Sequence, residues 1–167
     1  MPEACGFVGT TLSPMKFALI AVLAASALTL RAETGSDGRV LSAAHQARIA
    51  HFDKGPSSID VSTYPRGAQA DYRVFRERCS ACHTLSRPIN SDYALPNEWS
   101  LYILRMISKP GANISANDSR RIYDFLVYDS SVRKSNLLQT KLASLAPTLR
   151  STMLVRIASV RNHYGAK

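Results

Sequence analysis

The chain is poor in cysteine, with three in 167 residues. That excludes the disulfide framework that holds many small secreted domains together. It has one tryptophan and eight each of glycine and proline, too few for a collagen-like or low-complexity chain. Its longest uncharged run, Phe17 to Leu30, has 14 residues, short of the roughly 20 that span a bilayer as a helix. Apolar–polar alternation never persists beyond four residues, which argues against strands, and no segment repeats. Acid is missing from one end: Asp129 is the last Asp or Glu, and seven Lys or Arg follow it. What remains is ordinary globular composition, 46% hydrophobic and 20% charged with a net charge of +9. The length suits one domain, with or without extensions.

The uncharged run follows Lys16, precedes Arg31-Ala32, and is rich in Ala and Leu. A basic start, a short apolar centre and a small residue at the end describe a secretory signal peptide over 1–32. Met15-Lys16 reads as the natural start, which leaves 1–14 as an untranslated upstream stretch. Ala32 is the expected last residue of the signal and Ala27 the alternative; an uncleaved anchor is the competing interpretation. Cys5 precedes the run, so a lipoprotein is not expected. The exported chain then keeps only Cys79 and Cys82, and a periplasmic location follows.

Residues 33–58 read as a polar, mobile leader with a short helix near Val40–His51. Tyr64-Pro65 is an extended or turn dipeptide. A helix is expected over Ala68–Arg78, with Tyr72 and Phe75 on one face, and a loop over 85–95. Pro96 opens a further helix at its first turn. That helix carries Trp99, Tyr102, Ile103, Met106 and Ile107 at the spacing of one apolar face, and Lys109-Pro110-Gly111 stops it. Ser115 caps the next helix with Asp118 in the capping-box position, and Ile122, Phe125 and Leu126 form its stripe. Two more helices follow Asn136, divided at Pro147. The fold class is all-α.

Cys79-Ser80-Ala81-Cys82-His83 carries the chemistry. Two cysteines three apart, followed at once by histidine, form the c-type haem attachment pattern. On a helical turn both thiols face one side, so each can add to one vinyl group of a porphyrin, and the adjacent imidazole reaches the iron. A thioredoxin-like redox pair shares Cys-x-x-Cys but belongs at a strand-to-helix junction, and no strand precedes Cys79. A zinc site needs a distant fourth ligand.

Phe75-x-x-x-Cys-x-x-Cys-His, then Trp99-x6-Met106, then Ile122-Tyr123-x-Phe125-Leu126 resemble the small mono-haem class I cytochromes c of bacteria over about residues 59–134. The resemblance implies a helical domain around one covalent haem c with its iron. In it an N-terminal helix ending at the motif crosses a C-terminal helix near Phe75 and the Tyr123/Phe125 pair. It implies Cys79 and Cys82 as attachment residues, His83 as proximal ligand and a methionine as distal ligand. Met106, 23 residues after His83, is the expected methionine. Met153, His45, His51 and His163 are the alternatives, and an open five-coordinate iron is another. Trp99 and Tyr102 are expected to pack on the haem or bond a propionate, and Arg87 and Arg105 to neutralise propionates. The carbonyl of Pro88 or Pro96 is expected to accept the His83 Nδ1–H.

The expected function is single-electron transfer between redox partners rather than catalysis. Asp124 and Asp129 lie five apart, off a common helix face, and make no acid–base pair. Two alternatives stay open: a subunit of a larger respiratory or photosynthetic complex, and a five-coordinate haem gas sensor or peroxidase. Residues 135–167 form a basic amphipathic extension. Leu149, Met153, Ile157 and Val160 make its stripe, with Arg156 on one flank and Arg150 and Arg161 on the other. That pattern fits an acidic partner or an anionic membrane surface, or a stripe packed on the domain with solvated charges. Nucleic acid is not an expected partner of an exported chain.

Overall fold

The computed structural model describes residues 42–165. The expected signal peptide, residues 33–41 of the leader and Lys167 lie outside the described residues. Among the described residues there are seven helices and no strand, so the fold is all-α.

Helix α1 (Ala43–Asp53) starts where Ser42 accepts the His45 N–H at 3.2 Å. It buries no residue. The Tyr64 N–H closes a turn onto the Val61 carbonyl at 3.0 Å, and α2 (Arg66–Cys79) begins directly after Pro65. A short helix α3 (Ser86–Asn90) interrupts the expected loop over 85–95. Five residues are too few for apolar periodicity, so its cause is local. Asn90 Nδ2 donates back to the Ser86 carbonyl at 2.8 Å, and Ser91 Oγ donates to that of Pro88 at 2.9 Å.

Helix α4 (Pro96–Ile107) has proline at its first turn. Glu98 there accepts the N–H groups of Ala94 and Leu95, each at 2.9 Å, relieving donors that a helix start leaves free. Gly111, at φ 77°, turns the chain beyond it through a conformation that side chains with a Cβ avoid. Helix α5 (Ala116–Val132) opens with the reciprocal pair expected from spacing. Ser115 Oγ accepts the Asp118 N–H at 3.0 Å, and Asp118 Oδ2 accepts the Ser115 N–H at 3.1 Å. Helices α6 (Ser135–Ala143) and α7 (Pro147–His163) complete the chain. Arg150 folds back to donate to the carbonyls of Leu142, Ala143 and Leu145, which closes the end of α6.

Helix α5 is central, with α2, α4, α6 and α7 packed on it. Phe75 and Phe125 are fully buried where α2 meets α5, their ring centroids 5.4 Å apart, and Tyr72 stacks beside both. Truncating either phenylalanine costs about 3–5 kcal/mol by loss of transfer energy and cavity formation. A second layer of rings joins the start of α2 to the end of α7. Tyr128 meets Tyr64 and Tyr164 edge-on, each at 5.2 Å. A Cβ at Gly67 would lie 3.1 Å from the Tyr164 ring, so the small residue permits that approach.

Polar groups inside this layer are paired. Asp129 is fully buried and accepts from Tyr64 Oη at 3.0 Å and from Arg133 Nε and Nη2 at 3.0 and 2.6 Å. Asp71 takes Tyr164 Oη at 2.7 Å and Arg121 Nε at 2.6 Å.

At the C-terminal end the structure takes the second of the two forms expected for the extension, the stripe packed on the domain. Of the α7 stripe, Met153, Ile157 and Val160 are buried, while Leu149 is 41% exposed. The stripe packs into the molecule against α5, so residues 135–165 are part of the core rather than an appendage. Within the leader the expected short helix forms as α1, Ala43–Asp53, and the segment is tied down by hydrogen bonds. Asp53 receives Arg87, Asn90 Nδ2 donates to the carbonyls of Phe52 and Pro56, and Arg48 pairs with Asp92.

Candidate functional site

Helix α2 delivers Cys79 as its last residue, and Ser80 ends the helix. Cys79 is buried and Cys82 exposed, and both are free thiols. Burial, and then the neighbouring Cys82, pushes the Cys79 thiol up to about 12. A thioredoxin-type pair needs the opposite shift to keep a thiolate at neutral pH. No strand leads into the motif among the described residues.

His83 lies in the turn after α2, and both its nitrogens have partners. Nδ1 is 2.9 Å from the Thr84 carbonyl. That oxygen can only accept, so Nδ1 carries the proton. In the neutral ring Nε2 then holds the lone pair, and it accepts from Tyr102 Oη of α4 at 3.3 Å. The expected carbonyls do other work: those of Pro88 and Pro96 accept from Ser91 and Ser100. Thr84 replaces them because it is adjacent in sequence and the turn brings its oxygen round to the ring.

Tyr102 is buried, and burial together with the nearby Cys79 raises its phenol well above the usual range. The fold therefore gathers Cys79, His83 and Tyr102 at one place. Met106 lies one turn beyond Tyr102 on the same side of α4, half-buried against the core. Met153, the other methionine considered, is buried in the α7 stripe. His45 and His51 are exposed on α1, and His163 is exposed at the end of α7.

Trp99 is fully buried. Its indole N–H donates to Ser130 Oγ at 2.9 Å, and Lys134 Nζ lies 5.1 Å over its ring. Its one donor is thus used inside the core. Arg87 is paired with Asp53, Nε to Oδ1 at 3.2 Å and Nη2 to Oδ2 at 2.6 Å. This pairing holds the Asp53 carboxyl below its ordinary range. Arg105 donates to Tyr93 Oη at 3.1 Å and covers the Tyr93 and Tyr102 rings. Each of the two arginines has a protein partner, so neither is simply a solvated surface charge.

Four contributors escaped the sequence. Thr84 and Asp53 act through a backbone carbonyl and a contact between distant segments, which leave no motif. Arg73 and Arg76 line a groove of about 360 Å³ with Glu77, Ser80 and Leu85, beside the cysteine turn. Their i, i+3 spacing on α2 was a legible signal.

Among the described residues, no three His, Cys, Asp or Glu side chains converge as ligands for a bare metal ion. Cys79, Cys82 and His83 are the donor types that haem c takes, and the Nε2 lone pair that a metal would take is engaged by Tyr102 Oη at 3.3 Å. No protein-family model, no curated protein and no solved structure matches this chain.

Proposed function

We propose that this chain is an exported mono-haem c-type cytochrome, similar to the class I cytochromes, that carries single electrons between redox partners. The observation that carries the reading is the Cys79-Ser80-Ala81-Cys82-His83 turn at the end of α2, with the His83 Nδ1–H engaged by Thr84. The meeting of Phe75 and Phe125 between α2 and α5 supports it, because that is the crossing the resemblance implies.

Cys79 and Cys82 would hold the porphyrin by thioethers, His83 would be the proximal ligand and Met106 the distal one. Bound haem supplies a one-electron Fe(II)/Fe(III) couple, and a methionine ligand raises its potential. The chain's own residues bind and orient. The Thr84 carbonyl fixes the tautomer and angle of His83. Tyr102 is the residue of α4 that meets the turn, through His83 Nε2, while Trp99 packs inside the core against α5. The net charge of +9 suits partners with acidic faces.

Denaturing electrophoresis with peroxidase staining of protein from an exporting, haem-attaching host tests the reading. Haem is expected to migrate with the polypeptide, and Cys79→Ala with Cys82→Ala to abolish it. Complete loss of haem from the wild type on acid-acetone extraction overturns covalent attachment. Met106→Ala is expected to keep haem attached and change the ferric spectrum and potential; an unchanged spectrum removes Met106 as ligand.

A further inference from the structure

We propose that Asp53 of α1 is a positioning residue for the proximal ligand His83, and that the Asp53–Arg87 pair sets the local charge at that ligand. The inference rests on the function proposed above.

A strap from a distant part of the sequence supports the turn after the cysteines. Thr84 uses both of its polar groups there. Its carbonyl accepts the His83 Nδ1–H at 2.9 Å, and its hydroxyl donates to Asp53 Oδ1 at 3.3 Å. Asp53 thus fixes the residue that orients the imidazole. Its carboxylate also lies within electrostatic reach of His83. Arg87 binds the same carboxylate through two nitrogens, at 3.2 and 2.6 Å, so the pair is nearly neutral as a unit. Asn90 Nδ2 braces the strap, lying 3.1 and 3.0 Å from the carbonyls of Phe52 and Pro56 and 2.8 Å from that of Ser86, three acceptors that share its two N–H groups. Helix α1 buries no side chain of its own. Its attachment is polar and directed at the turn that holds His83.

Partners bonded directly to a metal ligand change its basicity; Thr84 is that partner here, and Asp53 acts through it and through its charge. Here the sign follows from charge. Neutralising Asp53 leaves Arg87 positive beside His83, which disfavours Fe(III) and raises the potential. Neutralising Arg87 leaves Asp53 negative and lowers it.

The test is a redox titration of the full-length, haem-bearing protein and its Asp53→Asn, Asp53→Glu, Arg87→Gln and Asp53→Asn/Arg87→Gln variants, with the haem spectrum recorded in both states. Asp53→Asn is expected to move the one-electron equilibrium upward by about tenfold, equivalent to about 59 mV, and Arg87→Gln to move it downward. The double variant is expected to return toward wild type, and Asp53→Glu to stay close to it. A merely structural strap is broken equally by either single change, so shifts of the same sign overturn the inference. So do shifts below twofold in both. If Asp53→Asn does not accumulate, the sign of the Arg87→Gln shift and the recovery in Asp53→Glu decide. A wild type without covalent haem overturns the proposed function itself. A haem-bearing wild type with wrong signs overturns only the role of Asp53.

Discussion

The two ends of the described chain attach by opposite physics. Helix α1 has no fully buried residue, its Ile49 and Phe52 being half-buried, and is anchored by Asp53–Arg87, Arg48–Asp92 and the Asn90 side chain. Helix α7 buries Met153, Ile157 and Val160, and Tyr164 after it locks onto Asp71. Both lie outside residues 59–134, which hold the cysteine turn. The polar attachment is directional and local, and its exposed pairs add little stability. The apolar attachment is non-directional and part of the core. One end is thus suited to adjusting a neighbouring group, while the other keeps the molecule folded.

The largest effect expected from breaking this comparison is by truncation. Removing residues 135–167 exposes the face of α5 beneath α6 and α7 and is expected to abolish the cooperative thermal transition. Removing residues 42–56 is expected to leave a cooperative transition at a moderately lower temperature. Calorimetry of both truncated proteins checks the contrast, and a cooperative transition in the first would make α6–α7 an appendage after all.

Within the C-terminal attachment, Tyr164→Phe removes the hydroxyl that Asp71 accepts at 2.7 Å. A hydrogen bond to a charged group contributes about 1.5–3 kcal/mol. A loss in that range is expected in chemical denaturation, reduced to the extent that Arg121 still serves Asp71.

Lys134, at the joint between α5 and α6, gives a pH-dependent signal. Its Nζ donates to the carbonyls of Ser91 and Tyr93, and burial is the main cause that lowers its pKa to about 7. Between about pH 7 and the ordinary lysine range the unfolded chain binds the extra proton. Stability is therefore expected to rise as pH rises through that window, with the full cost of the buried charge present below it. Denaturation series from pH 6.5 to 9.5 check this, and Lys134→Met is expected to flatten the slope.

The smallest effect is in the strap. Its ion pairs are partly exposed, and salt screens such pairs over about 8–10 Å. Amide exchange in residues 43–53 is expected to quicken as salt rises, while exchange in 153–160 stays constant. Equal responses at both ends would erase the distinction.

The sequence was legible where a signal is local. Pro96, Lys109-Pro110-Gly111, the Ser115/Asp118 pair and Pro147 mark helix limits that the structure keeps within a residue or two. The cysteine turn was legible for the same reason, since its chemistry requires adjacent residues. Helix α3 was hidden because five residues carry no period. The strap was hidden because Asp53 and Arg87 are 34 residues apart, so no local pattern joins them, and Arg87 reads as a propionate partner instead.

By itself, then, the sequence determined the all-α class, most helix limits, and the Cys79–Cys82–His83 triplet with Met106 on a later helix, since all of these depend on spacings within one element. Only the tertiary structure decided that the α7 stripe lies inside, that the indole N–H of Trp99 is used by Ser130, and that Tyr102 and Thr84 hold the two nitrogens of His83. An amphipathic pattern states that a face will be buried but not against what. A polar side chain gains its partner only when packing brings distant segments together.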